Sequence, residues 1–265
     1  MADLMIVGGG KMGEALAAGL ISSGWDEQNQ GDITVVEPLE ERRAELQEIY
    51  PNIRVRSTLE KKKDILLAVK PDQVQRVCHQ LSLIGIPNRL ISIAAGVTIR
   101  TLESSLLPET HVIRVMPNTP SMINEGMSVL SPGSHASSTD MEWAVSIFSA
   151  VGKTTVLDEK LMNAVTGVSG SGPAYVFALA EAMTKAGINE GLDHESADLL
   201  VRQTILGAAS LLAQSEETPE QLRNAVTSPN GTTAAALAVF ADEAFLEVVV
   251  KAISAATHRA GQLGT

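Results

Sequence analysis

The sequence predicts a two-part α/β chain, a parallel sheet covered by helices followed by an all-α region. Three observations predict it. The apolar run Leu4–Val7 (LMIV) leads into glycines spaced G-x-G-x-x-G, at Gly8, Gly10 and Gly13, and then into a helical pattern with Met12, Leu16 and Leu20 on one side. Strand-like and helix-like segments then alternate as far as Leu157, as in sheets whose parallel strands are joined through helices. From Asp158 onward every convincing segment is helical. Together these place a Rossmann dinucleotide-binding domain over residues 1–157 and an all-helical domain over 158–265, a candidate for dimerisation.

The elements follow in order. Gly8 permits a tight turn out of the first strand, Gly10 lets a pyrophosphate approach the backbone, and Gly13 lets the helix lie close to the sheet. The helix N-terminus adds free N–H groups and a positive dipole end. Such turns also join strands to helices in proteins that bind nothing, so the strand before and the helix after carry this reading. Ile33–Val36 (ITVV) is the second strand, Leu39–Ile49 a solvated helix, Ile53–Val55 a short third strand and Ile65–Val69 (ILLAV) the fourth. Pro71–Leu83 is helical, with Pro71 at the start, where its missing N–H costs nothing. Leu90–Ala94, Val112–Met116, Met127–Leu130 and Thr154–Leu157 read as further strands, with helices over Thr98–Leu106 and Met141–Val151. The later segments Leu161–Gly167, Ala174–Ala186, His194–Gln214, Pro219–Ala225, Thr233–Phe240 and Glu243–Gly261 are helices, broken by Gly, Pro, Ser and Asn. Ala234–Val239 and Ala252–Ala256 are small and apolar. They suit close packing, either against a second copy or within a helical domain closed on itself.

Bulk properties exclude several classes. The chain has 265 residues with 45% hydrophobic residues, enough for a packed core. Aromatics make up 3%, so that core is aliphatic. The net charge of −11 repels nucleic acid and anionic membrane, so neither is an expected partner. No apolar run is long enough to span a bilayer, and no basic stretch followed by an apolar one precedes the first strand. The one cysteine, Cys78, excludes an internal disulfide, and without a His/Cys cluster a reduced, cytoplasmic setting and no metal are expected.

In an open parallel sheet, ligands bind beyond the carboxyl ends of the strands. Five strand ends carry special residues: Gly8–Gly13, Glu37, Lys70-Pro71, Ala94-Ala95-Gly96 and Met116–Pro120. An acid at Glu37 suits both hydroxyls of an adenosine ribose and repels a 2′-phosphate, which points to NAD(H). Arg42 and Arg43, a turn later, are either phosphate partners or solvated helix charges. Lys70 is either a phosphate or ribose contact or a snorkelling lysine. Two loops in the helical half are dense in donors. Gly167–Tyr175 (GVSGSGPAY) crowds a helix start, capped by Ser171 or Gly172. Thr227–Thr233 (TSPNGTT) opens another, and the N–H groups of Gly231, Thr232 and Thr233 make a carboxylate cradle. No Ser–His–Asp order or C-x-x-C spacing occurs. His79, His111, His135, His194 and His258 are scattered and read as surface or packing residues, and Cys78 as packing. A site of hydrogen bonds without a strong acid or nucleophile suits hydride transfer.

These residues resemble a known family. AVKP at Ala68–Pro71, AAGV at Ala94–Val97, RVMPNTP at Arg114–Pro120, TGVSGSGPAYVF at Thr166–Phe177 and VTSPNGTT at Val226–Thr233 are similar to the pyrroline-5-carboxylate reductases, in that family's order and across nearly the whole chain. The resemblance implies reduction of the cyclic imine 1-pyrroline-5-carboxylate to L-proline by NAD(P)H, the last step of proline synthesis. It also implies a helical domain interlocked in a homodimer, with decamers in some members, and an active site between one subunit's cofactor domain and its partner's helices. On this sequence it implies that Gly8, Gly9, Gly10, Lys11, Met12 and Gly13, with Ala68, Val69, Lys70 and Pro71, hold the cofactor, and that Ala94, Ala95 and Gly96 lie near the nicotinamide. Ser228, Gly231, Thr232 and Thr233 would bind the substrate carboxylate, Thr233 would reach the imine nitrogen as the catalytic hydroxyl, and Glu159 would touch substrate. Two departures matter. Glu37 stands where the family often has Ser or an Asn-Arg pair, which turns the family's NADPH habit toward NADH. Asn230-Gly231 replaces a Gly-Gly pair, and Asn tolerates φ > 0.

Two other classes share parts of this pattern. A 3-hydroxyacid dehydrogenase would need a catalytic lysine among the helices, where Lys185 and Lys251 sit away from both loops. A non-enzymatic NAD-binding regulator would have no use for two donor-rich loops.

Overall fold

β1 (Leu4–Val7) sits at the middle of the sheet because all four of its residues are apolar and buried on both faces. The computed structural model describes residues 4–25, 33–61, 64–85, 87 and 89–263. After β1 come α1 (Lys11–Ser22), β2 (Ile33–Val36), α2 (Glu40–Ile49), β3 (Arg54–Arg56) and β4 (Asp64–Leu67). A 3₁₀ turn over Pro71–Gln73 leads into α3 (Val74–Ile84), then β5 (Arg89–Ser92), α4 (Ile99–Ser104) and β6 (His111–Met116). β7 (Gly126–Pro132), α5 (Ser138–Ser149) and β8 (Gly152–Val156) complete an eight-stranded sheet in the order β3-β2-β1-β4-β5-β6-β7-β8.

Successive strand residues point to opposite faces, and both faces are covered. Leu4, Ile6, Leu66, Ile91 and Ile113 pack with Leu16 and Leu20 of α1 and Ile147 and Phe148 of α5. Met5, Val7, Ile65, Leu67 and Leu90 pack with Val74, Val77 and Leu81 of α3 and Leu102 of α4. Burial on both faces explains why these strands read as continuous apolar runs.

The sheet departs from the all-parallel expectation at one point. β7 runs antiparallel to β6, and β8 runs parallel to β7. Residues 117–125 separate β6 from β7, too few for the crossover of a dozen or more residues that parallel pairing needs. The chain turns back through a 3₁₀ segment, Thr119–Ile123, with Asn124 in the left-handed region at φ 60°.

Beyond β8, the expected helix over Leu161–Gly167 is a composite. A 3₁₀ turn over Glu159–Leu161 runs into α6 (Met162–Val165) and then a π turn over Thr166–Gly170. The remaining helices are α7 (Gly172–Asn189), α8 (His194–Gln214), α9 (Pro219–Ala225), α10 (Thr232–Asp242) and α11 (Phe245–Leu263). Asp193 caps α8 through the Ser196 N–H, and Thr218 and Gln221 form a capping box on α9. The chain divides into two compact units. One holds residues up to Ser171 and from Ser254 onward, the other Gly172–Ile253. Among the described residues no helix is long and apolar enough to cross a membrane.

Candidate active site

The glycine turn follows β1. Gly8 adopts φ +112°, and a Cβ there would lie 2.5 Å from the Ala68 carbonyl oxygen. A Cβ on Gly13 would lie 2.0 Å from the Gly8 oxygen, whereas one on Gly10 would meet nothing within 4 Å. Two glycines are therefore fixed by packing, and the third faces open space. Gly10 is also the N-cap of α1 and has no side chain to cap it, so the first-turn amides lack a side-chain acceptor.

That space is a cavity of about 840 Å³, within the range of cofactor and ligand pockets. Gly8, Gly10, Glu37, Ala68, Val69 and Lys70 line it, together with Ser57–Leu59 and Gln73, Arg76 and Gln80 beside α3. Lys11 is exposed, and Met12 packs against the core. Pro71 begins the 3₁₀ turn with Lys70 as its N-cap. Ala94 is buried at the end of β5, Ala95 is half-buried, and Gly96 takes φ +81°.

Glu37 directly follows β2 and is buried. Its Oε2 accepts the Gly9 N–H at 3.0 Å and its Oε1 the Leu39 N–H at 2.9 Å. Both arginines of this turn make hydrogen bonds close by. Arg42 donates from Nε to the Gly9 carbonyl at 2.9 Å and pairs with Glu14 and Glu45. Arg43 donates to the carbonyls of Glu37 and Pro38. Arg42 thus ties α2 to the glycine turn and to α1, and Arg43 ties α2 to the end of β2. The Arg42 links reach Gly9 and Glu14, about thirty residues away, which linear spacing does not reveal.

The loop after β6 is held by Asn118, which the sequence marks only as part of a special strand end. Its amide donates to the Ser169 carbonyl and hydroxyl at 3.2 and 3.3 Å, and its Oδ1 accepts the Met127 N–H at 2.9 Å. A Cβ on Gly170 would lie 2.5 Å from the Met116 methyl, so the π turn lies directly against the end of β6. Glu159 accepts the Ile99 N–H at 2.7 Å and pairs with the buried Arg114 at 2.9 Å through the same oxygen.

The second donor-rich loop belongs to the other compact unit. Asn230 sits at φ 56°, the conformation expected of the residue replacing a glycine. The Gly231 N–H closes a turn onto the Ser228 carbonyl at 3.0 Å, and a Cβ on Gly231 would meet the Ser228 hydroxyl at 2.3 Å. Gly231 is the N-cap of α10 with no side-chain hydrogen bond. Ser228 and Thr232 are exposed and Thr233 half-buried.

Burial pushes the Cys78 thiol up to about 12, so it is inert as a nucleophile. Among the described residues no cluster of three His, Cys, Asp or Glu could hold a metal ion.

Comparison with known proteins agrees with this layout. Residues 159–263 match the family described as pyrroline-5-carboxylate reductase dimerisation, and residues 3–96 the one described as NADP oxidoreductase, coenzyme F420-dependent. The chain is 40% identical to a pyrroline-5-carboxylate reductase of Synechocystis, over 99% of this chain and 98% of the relative. It is similar to a solved pyrroline-5-carboxylate reductase of Coxiella burnetii, with a TM-score of 0.90 and 33% identity over 100% of this chain and 99% of that one. The NADP-bound structure of the Plasmodium falciparum pyrroline carboxylate reductase gives a TM-score of 0.85 at 29% identity, covering 100% and 98%. The chain belongs to the pyrroline-5-carboxylate reductase family, the NAD(P)H-dependent oxidoreductases that reduce 1-pyrroline-5-carboxylate to L-proline in the last step of proline biosynthesis.

Proposed function

We propose that this reductase grips the substrate carboxylate at Ser228, Gly231, Thr232 and Thr233, and that the Thr233 hydroxyl donates to the imine nitrogen. The observation that carries this reading is the N-terminus of α10, an eleven-residue helix that opens on Gly231 with no side-chain cap. Its free amides and dipole favour a carboxylate, and the Ser228 and Thr232 hydroxyls stand exposed beside them. A cyclic imine needs only a hydrogen bond or a proton on nitrogen to accept hydride at carbon, so a fixed hydroxyl suffices and no strong acid is required. Fixing the carboxylate and nitrogen together orients the ring, and such positioning supplies several kcal/mol of barrier reduction.

The glycine turn fits a dinucleotide. Gly10 leaves room for a phosphate, the first-turn amides of α1 lack a side-chain acceptor, and Glu37 and Lys70 line the same cavity. In this reading Gly8–Gly13 and Ala68–Pro71 hold the cofactor, with Ala94–Gly96 near the nicotinamide, which supplies the hydride. Glu37 hydrogen-bonds the adenosine ribose, so the chain prefers NADH. Glu159 acts at the substrate end, with one oxygen anchored by Arg114 and Ile99. We place the domain boundary at 157/158 and the enzyme in the cytoplasm, as a homodimer or a decamer built of such dimers.

Initial rates with 1-pyrroline-5-carboxylate and each nicotinamide cofactor test both assignments. Thr233→Val is expected to lower kcat/KM by about fivefold or more, the worth of one hydrogen bond of ~1 kcal/mol. A loss under about threefold removes Thr233 from the mechanism. A higher kcat/KM with NADPH than with NADH overturns the role given to Glu37.

A further inference from the structure

We infer that Arg42, backed by Glu14, Glu45 and Tyr50, is a positioning residue for the cofactor phosphates: it holds the Gly9–Gly10 peptide so that the Gly10 N–H faces the cavity. The inference rests on reading the glycine turn as the cofactor site.

Gly8, Gly9 and Gly10 are consecutive, and a run of glycines is the backbone least able to hold one orientation by itself. Here both peptides of Gly9 are tied down from α2 and the end of β2. The Gly9 N–H donates to Glu37 Oε2 at 3.0 Å, and its carbonyl accepts from Arg42 Nε at 2.9 Å. All described peptides are trans, and in a trans peptide the C=O and the next N–H point opposite ways. Holding the Gly9 carbonyl at Arg42 therefore turns the Gly10 N–H to the other side. Gly10 lines the cavity there, with nothing within 4 Å of its Cβ position. A flipped peptide would present a carbonyl to a phosphate instead.

The anchor is itself anchored. The Arg42 Nη1 donates to Glu45 at 2.9 Å and its Nη2 pairs with Glu14. The Tyr50 hydroxyl lies 3.4 Å from the other Glu14 oxygen, and Tyr50 packs against the core. The hydrogen bonds that Arg42 donates to Glu45 and Glu14 raise it above the usual arginine range, so the cation persists at any working pH. Arg42 does not line the cavity. Its action on a phosphate passes through the peptide it holds, so it does not distinguish NADH from NADPH.

The test is direct titration of NADH, NADPH and adenosine, without substrate, into wild type, Arg42→Gln, Arg42→Lys and Gly10→Val. Arg42→Gln should raise the Kd for NADH and NADPH by the same factor, about tenfold, from lost preorganisation. Adenosine, which has no phosphate, should bind as in wild type. Arg42→Lys, with one donor for the Gly9 carbonyl, should recover part of the loss. Amide exchange at Gly10–Met12 should quicken in Arg42→Gln. Unchanged NADH binding overturns the inference. So does a loss confined to NADPH, which would mean a direct 2′-phosphate contact, or an equal loss of adenosine, which would mean general damage. Gly10→Val separates the two readings. If it leaves NADH binding intact, the glycine turn is not the cofactor site. If it abolishes binding while Arg42→Gln is silent, only the positioning role fails. Should Arg42→Gln fold poorly, Glu14→Gln is expected to weaken NADH and NADPH equally, by about threefold, and a silent Glu14→Gln overturns the inference.

Discussion

The two compact units bury their apolar residues to very different degrees. Residues up to Ser171 surround an eight-stranded sheet with three clusters of buried side chains. In residues 172–253, Ala197 and Val201 of α8 are the only buried hydrophobics among the described residues. Phe177, Leu199, Leu206 and Leu246 of the second unit are each at least 60% exposed in the single chain. The stretch Ala234–Val239 of α10 is apolar all round, the pattern of a helix that is buried somewhere. The first unit completes its core within one chain. The second leaves large hydrophobic side chains exposed, and it lies within the match to a dimerisation family. One fold can thus hold a self-sufficient part and a part finished only by association.

The largest expected contrast comes from deleting a side chain in the finished core. Phe148 is 0% exposed, and Phe148→Ala should cost about 3–5 kcal/mol in urea unfolding and lower the melting temperature by about 10 °C. A cost below about 1 kcal/mol would show that this core is not closed as described. In the second unit a charge should act on assembly instead. Leu199→Glu combined with Leu206→Glu puts two carboxylates, seven residues apart, on exposed apolar positions of α8. Light scattering after size exclusion should show monomer, with activity down by about tenfold or more if each site needs residues of both copies. An intact oligomer would show that this face of α8 lies outside the interface.

The difference between the units also explains what could be read from the sequence. β1 and β2 were legible residue for residue because strands buried on both faces are nearly continuous apolar runs, broken in β2 by Thr34 alone. α8 and α9 were equally legible, since Asp193, Thr218 and Pro219 mark their starts. The reversal at β7 was missed because pairing direction depends on the room in residues 117–125, not on the composition of Met127–Leu130. The Asn118 clamp escaped because it depends on Ser169, 51 residues away. At the site, glycines and hydroxyls announced both donor-rich turns, since helix starts are local. Arg42 could not announce itself. Its use depends on the phase of α2 against a turn 33 residues earlier.

Charge sharpens the comparison with the smallest effect. The second unit carries exposed one-turn pairs, such as Arg202–Asp198, which add little to stability. The first unit holds a buried carboxylate, Asp140, which accepts from Ser137 at the start of α5 and meets His111 at 2.7 Å, with Arg89 at 3.9 Å. Burial pushes the Asp140 carboxyl up, but the Ser137 hydrogen bonds and the His111 ring outweigh it and leave the net shift downward. A carboxyl held below its unfolded value, ~3.9, contributes stability that is fully present above that pH. The contribution is lost as pH falls through the lower folded value. Asp140→Asn should therefore cost about 1 kcal/mol at neutral pH, and the gap to wild type should close below about pH 4. Asp198→Asn should make no measurable difference at either pH. Urea unfolding of both variants at one protein concentration across this range checks the contrast. A gap for Asp140→Asn that persists unchanged at about pH 3 would mean its carboxylate charge is not what stabilises this edge of the sheet.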